Sequence, residues 1–237
     1  MVSRAGPLKP LLLLFDIDGT LVQRASVEHA QALCEAAAEV HGLAALDGTV
    51  VRAAGRTDLS IARELLLRAG VSPVQIDARS AALQAATVAA YERLCPPDLS
   101  ARLAPGMADL LAALAARPDE FRLSLLTGNL EAVARRKLAA AGVAGYFDDG
   151  QGAFGSDAES RDELPAIARA RAGGWPRERT VVIGDTPRDI ACARADGLRV
   201  AAVATGPYPL EALADADAVA DGARALQPIL DDWVGSP

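Results

Sequence analysis

Short apolar runs and longer stretches of helical periodicity alternate along most of this chain. Leu11–Phe15, Arg122–Leu126, Thr180–Ile183 and Arg199–Val203 are too short for helices and apolar enough to be buried on both faces, so they predict strands. Between and after them, Met107–Ala116, Leu130–Ala141, Asp162–Ala172 and Pro187–Ala195 carry the periodicity of helices. Strand and helix in alternation predict a doubly wound α/β fold, a parallel sheet with helices on both faces. Gly142 and Gly197 stand where helix C-caps are expected.

One region breaks the rhythm. From about Ser26 to Cys95 there is no strand pattern, only helical runs at Val27–Val40, Leu59–Ala69 and Ile76–Leu94. Pro96-Pro97 and then Pro105-Gly106 mark the return to the α/β part. The expected division is an α/β domain of residues 1–22 and 100–237 with a helical domain of residues 23–99 inserted after the first strand. So placed, the insertion suits a lid; the plainer reading is a helical elaboration with no part in any site. Residues 1 to about 9 read as a loose tail.

Apolar residues make up 51% of the chain and aromatics only 4%, so aliphatic packing must build the core. A net charge of −7 argues against bulk nucleic-acid binding but leaves room for a local cationic pocket. Three cysteines, Cys34, Cys95 and Cys192, lie far apart without metal-ligand spacing, as expected of thiols in a reducing compartment. The apolar run after Arg4 and Lys9 is too short for a signal segment, and no stretch approaches a membrane span. The expectation is a cytoplasmic protein with no membrane and no nucleic-acid partner, monomeric or homodimeric.

The chemistry gathers at strand ends. Asp16-Ile17-Asp18-Gly19-Thr20-Leu21 follows the first strand, and alternation puts Asp16 and Asp18 on one side. Two carboxylates held together repel unless a cation or a shared proton intervenes, which suits Mg²⁺ and one carboxylate free to act as nucleophile or proton donor. A lone Asp-x-Asp would be only a polar turn. Thr127-Gly128-Asn129 ends a second strand, where the Thr127 hydroxyl and the Gly128 and Asn129 amides suit a phosphate at a helix N-terminus; Asn129 is also a ready N-cap. Gly184-Asp185-Thr186-Pro187-Arg188-Asp189 ends a third. Thr186 and Pro187 open a helix there, and Asp189 in its first turn is equally explained as a cap. In a parallel sheet these ends share one edge, so Asp16, Asp18, Asp185 and Asp189 form a candidate hard-metal set with Thr127 opposite.

The set of motifs resembles the haloacid dehalogenase superfamily of phosphohydrolases. Asp16–Leu21 is similar to its first motif, Leu125–Asn129 to its second and Ile183–Asp189 to its fourth, and the insertion resembles the helical cap of phosphoglycolate-phosphatase-like members. The resemblance implies a Rossmann-like core and a Mg²⁺-dependent phosphatase acting on a small phosphorylated metabolite. It implies Asp16 as nucleophile, forming an aspartyl-phosphate, and Asp18 as acid and then base. The metal would be held by Asp16, the Asp18 carbonyl and Asp185, with Asp189 supporting, and Thr127 would bind phosphate.

One departure stands out. The third motif of that superfamily is a lysine between the second and fourth motifs, and the chain has only Lys9 and Lys137. Lys137 lies mid-helix just after the second motif, earlier than expected, so Arg161 at the start of the next helix is the candidate phosphate-binding cation; the plainer reading makes Ser160-x-x-Glu163 a capping box with Arg161 exposed. Gly55-Arg56-Thr57-Asp58 resembles the cap loop that faces the active site, which makes Arg56 and Thr57 candidate substrate contacts, or else a helix cap beside a solvated arginine. His29 and His41 read as surface or packing residues. A phosphomutase on the same scaffold and a non-catalytic ligand-binding member are the competing readings. The absence of lysine between residues 20 and 126 removes the phosphonatase chemistry that a cap lysine would serve.

Overall fold

A computed structural model of the chain describes residues 9–235. The expected loose tail falls almost wholly outside them. Five strands, β1 (Leu11–Phe15), β2 (Phe121–Leu125), β3 (Thr180–Gly184), β4 (Arg199–Val203) and β5 (Ala218–Ala220), form a wholly parallel sheet in the order β2-β1-β3-β4-β5. The chain winds to one side of β1 for β2 and to the other for β3, β4 and β5. Loops beyond the carboxyl ends of β1, β2 and β3 therefore meet at the switch point of the sheet.

Side chains of β1 alternate between two cores. Leu11, Leu13 and Phe15 pack with Met107 and Leu111 of α5 (Met107–Ala115), Val133 and Leu138 of α6 (Glu131–Ala140) and Leu226 of α9 (Ala223–Val234). Leu12 and Leu14 pack on the other face with Leu164 and Ala168 of α7 (Leu164–Arg171) and Ile190 and Ala193 of α8 (Pro187–Ala195). Helices cover both faces, so both sets of β1 side chains are apolar, as expected of a parallel sheet.

Between β1 and α5 the described structure is helical: α1 (Ser26–His41), α2 (Asp58–Arg68), α3 (Pro73–Ala78) and α4 (Ser80–Leu94), with one short 3₁₀ turn at Gly48–Val50 and another, Ser100–Arg102, before α5. These helices share an apolar cluster of Leu33, Ala36, Ala37, Ala62, Leu66, Ile76 and Leu83. Ala32 and Tyr91 reach instead into the core beneath β1. The run expected as one helix from Ile76 to Leu94 is two. Ser72 and Gln75 form a capping box that starts α3 at Pro73, and the chain breaks at Arg79.

The carboxyl-terminal stretch adds β5 and α9, which the hydrophobic pattern did not announce. β5 is the three residues Ala218-Val219-Ala220, too short to stand out in sequence. Pairing with β4 is what makes it a strand.

Candidate functional site

Asp16 leaves the end of β1, Asp185 the end of β3, and Asp189 projects from the first turn of α8. All three are buried, and one carboxylate oxygen from each lies within 4.8 Å of the others. Thr20 Oγ1 donates to Asp185 Oδ1 at 3.1 Å, whereas Asp185 Oδ2 is buried with no hydrogen-bond partner. The backbone is pressed against that carboxylate: a Cβ on Gly206 would lie 1.6 Å from Oδ2, and one on Gly19 (φ +92°) 2.2 Å. An orphaned carboxylate oxygen beside two other carboxylates is costly without a cation or a proton. Burial, then the charges of Asp16 and Asp189, push Asp185 up to about 9. Burial pushes Asp16 up to about 7 against the opposing pull of Arg161. A compact set of hard oxygen donors with this excess of negative charge fits a Mg²⁺-class ion.

Arg161 opens a 3₁₀ turn, Arg161–Glu163, directly before α7, and no side-chain capping bond forms at Ser160. Its Nη2 donates to Asp16 Oδ1 at 3.1 Å and closely to Asp189 Oδ1, and its buried Nε has no partner. The arginine is thus buried in the acidic cluster rather than exposed at a cap. Asp189 serves two ends. Its Oδ2 accepts from the Thr186 amide (2.9 Å) and hydroxyl (2.7 Å) in a capping box, while its Oδ1 meets Arg161.

Asp18 faces the same cavity but has separate partners. Its carboxylate is held by Lys137 Nζ at 2.6 and 2.7 Å and by Asn129 Nδ2 at 2.9 Å. Burial acts to raise the Asp18 pKa, but the Lys137 charge and the hydrogen bonds from Lys137 and Asn129 outweigh it, and the net direction is down. Asp18 therefore adds no carboxylate oxygen to the Asp16–Asp185–Asp189 cluster. The four-aspartate set read from the strand ends is thus reduced to three carboxylates; the contact implied by the resemblance was the Asp18 main-chain carbonyl.

Lys137 corrects the reading that it comes too early. It is fully buried, and its ammonium also donates to Asn129 Oδ1 at 2.8 Å and meets His29 Nδ1 at 3.1 Å. Helical side chains lean toward the helix N-terminus. The N-terminus of α6 sits at the carboxyl edge of the sheet, so a long side chain two turns in reaches back to the site. The sequence did carry a signal: Lys137 shares an apolar stripe with Val133, Ala134 and Leu138, while Arg135 and Arg136 lie off it. His29 is a second correction. It is neither a surface nor a mere packing residue, because its Nε2 lies 2.9 Å from Asp58 Oδ2.

Thr127 is fully buried, and its hydroxyl accepts from the Asn129 amide at 3.4 Å. Asn129 does not cap α6; its side chain bridges Asp18 and Lys137, and Leu130 is the cap residue. Gly128 marks a close approach of backbones: a Cβ there would lie 1.9 Å from the Arg56 carbonyl oxygen. In the insertion, Thr57 is buried as the N-cap of α2. It accepts from the Ser60 amide and donates to the Glu159 carbonyl at 2.5 Å, so its hydroxyl is not offered to a substrate. Arg56 lines the cavity, with its guanidinium held by Glu64 and by the Ser60 carbonyl.

The cavity above these groups has a volume near 560 Å³. Asp16, Asp18, Thr127, Asn129, Arg161 and Asp185 line its floor; Leu33 and Cys34 of α1 and Ile61 and Leu65 of α2 line its far wall. No described helix is long and apolar enough to cross a membrane.

A family model described as haloacid dehalogenase-like hydrolase matches residues 13–194. The chain is 32% identical over 232 residues to a phosphoglycolate phosphatase of Rhodospirillum rubrum, covering 96% of this chain and 92% of that protein. It is 31% identical over 224 residues to a plasmid phosphoglycolate phosphatase of Cupriavidus necator, covering 92% of each. Among solved structures, a β-phosphoglucomutase from Clostridium difficile superposes with a TM-score of 0.67 at 14% identity, covering 96% of this chain and 99% of that one, which is a likeness of fold.

Proposed function

The chain belongs to the haloacid dehalogenase-like hydrolases, and from that premise we propose that it is a Mg²⁺-dependent phosphatase of a small phosphorylated metabolite, working through an aspartyl-phosphate on Asp16. One observation carries the reading. Asp16 is buried against the Arg161 guanidinium and beside Asp185 and Asp189, while Asp18 opens into the same cavity. That arrangement supports Asp16 as the attacking carboxylate and Asp18 as the one that moves protons.

Asp16, Asp185 and Asp189 would hold the metal, which when bound neutralises phosphoryl oxygen charge. Arg161 adds fixed positive charge beside Asp16, and Thr127 keeps a hydroxyl proton to donate to a phosphoryl oxygen. Asp16 attacks phosphorus, and the bond to the leaving oxygen breaks as Asp18 delivers a proton to it. Asp18, then a carboxylate, takes a proton from water, whose oxygen displaces Asp16. Lys137 keeps Asp18 ionised in the free site, the state the second step needs. The negative charge of an arriving phosphate raises its proton affinity for the first. We take helices α1–α4 as the cap over this floor.

Phosphoglycolate is the first substrate to try, since that is the activity named for the relatives. A cavity near 560 Å³ exceeds the needs of a two-carbon ester, so sugar phosphates and larger esters belong in the same panel. The test is phosphate release with Mg²⁺ and with chelator, for the wild type and Asp16→Asn. Mg²⁺-dependent release, lowered at least about 10³-fold in the folded variant, is expected. Wild-type-like release by Asp16→Asn rules the mechanism out. Isomerisation of a sugar phosphate without net phosphate release would make the protein a mutase.

A further inference from the structure

Four polar side chains, buried except for Asp18 at the cavity end, make a line from the insertion to the floor of the site. Asp58, in the first turn of α2, has Oδ2 2.9 Å from His29 Nε2; His29, on α1, has Nδ1 3.1 Å from Lys137 Nζ; and Lys137 holds both oxygens of Asp18. The protons follow from the partners. An ammonium has only donors, so His29 Nδ1 accepts, and the neutral ring then donates from Nε2 to Asp58. The Tyr91 ring of α4 covers the line, with its centroid 5.5 Å from that of His29 and 5.8 Å from Lys137 Nζ. Lys137 is thus steered by Asn129 of the core and by a histidine of the insertion.

Asp58 is also bolted to the turn after β2. Its amide donates to the Gly128 carbonyl at 2.8 Å, and the same Oδ2 accepts from the Leu130 amide at 2.8 Å. The residue that orients His29 is therefore the one that seats the insertion on Gly128–Leu130, the turn that carries Asn129 to Asp18.

We propose that His29 and Asp58 are positioning residues that hold the Lys137 ammonium on Asp18 from two helices of the insertion, so that the proton-transferring carboxylate is aligned only while those helices are seated. The proposal rests on the phosphatase reading for the role of Asp18. Second-partner contacts of this kind set the geometry of the group that reacts, and their loss usually costs 10- to 100-fold.

The test uses the full chain and the ester it cleaves fastest in the panel. His29→Phe keeps the volume and removes both ring contacts. Asp58→Ala removes the acceptor, and Asp58→Asn keeps an acceptor oxygen without the charge. His29→Phe and Asp58→Ala are expected to lower kcat about 10- to 100-fold with KM changed less than about threefold. Asp58→Asn is expected to recover most of the kcat lost in Asp58→Ala. Amide exchange at Leu130 should quicken in Asp58→Ala and return toward wild type in Asp58→Asn. Wild-type kcat in His29→Phe and Asp58→Ala overturns the proposal, as does an Asp58→Asn variant as impaired as the alanine. If the wild type cleaves no ester, the phosphatase reading fails separately. Unchanged exchange at Leu130 in Asp58→Ala then still overturns the seating on which this inference depends.

Discussion

Lys137 and Asp18 stand 119 residues apart in the chain and meet with the ammonium nitrogen 2.6 and 2.7 Å from the two carboxylate oxygens. The lysine is fully buried and the aspartate partly open to the cavity. A second cation, Arg161, is spent on Asp16 and Asp189. Each aspartate of the first motif thus has its own counter-charge, from a different element.

Lys137→Met keeps the length of the side chain and removes the charge. Asp18 then loses the main group that holds its pKa down, and kcat is expected to fall about 10²-fold or more. A lowered carboxylate pKa stabilises the fold above its unfolded value, and that gain is lost as pH falls through the folded one. The acid limb of the stability curve should therefore begin at higher pH in the variant, as urea unfolding across pH would measure. The loss at neutral pH is expected to be about 1–3 kcal/mol, less than for a fully buried pair because Asp18 is partly solvated.

Asp16 and Asp185 have the opposite sign. Their folded pKa values lie above the ordinary 3.8, at about 7 and about 9. Their contribution is fully favourable only below the unfolded value and is lost as pH rises through those two. Metal-free protein should lose thermal stability between about pH 5 and pH 9 from this source, and Mg²⁺ should restore more of it at pH 8 than at pH 6. Melting scans with chelator and with Mg²⁺ decide it; a Mg²⁺ increment independent of pH would be inconsistent with carboxylates that bind the ion by losing protons.

Arg161→Ala leaves Asp16 and Asp189 buried without their shared cation. The expected cost is about 3–5 kcal/mol of stability, partly recovered by Mg²⁺, together with a lower kcat/KM for phosphate esters. Unchanged kcat/KM would move the phosphate-binding role away from this residue.

Gly128→Ala should act through the insertion rather than through phosphate. Its Cβ would meet the Arg56 carbonyl at 1.9 Å, so one backbone must shift. A loss of about 1–3 kcal/mol is expected, with faster amide exchange at Asp58 and Leu130. Slow, wild-type exchange there would show that the contact yields without disturbing the seat.

Much of the candidate site was legible because it follows strands. A strand ending in Asp-x-Asp, another ending in Thr-Gly-Asn and a third ending in Gly-Asp have their polar residues placed by local geometry alone, and the parallel sheet gathers them. Asp16, Thr127, Asp185 and Asp189 need only that. Arg161 comes only from the family resemblance, as the stand-in for the lysine of the third motif. Lys137 and His29 were misread because their roles depend on where helices lie: one reaches back along α6, and the other meets Asp58 across a gap between helices of the insertion. Thr57 had two local explanations, and the structure realises the cap.

The sequence alone determined the alternation of strands and helices, the helical insertion and the acidic strand ends, since each depends on residues within a few positions of one another. The tertiary structure decided the pairings. It chose Asp18 as the partner of Lys137, left one oxygen of Asp185 without a donor, and bolted Asp58 to the turn after β2. β5 and the break at Arg79 were decided at that level too. The physical reason is the same throughout: local periodicity fixes which face of an element is apolar, but a buried charge finds its partner only after elements distant in sequence have packed.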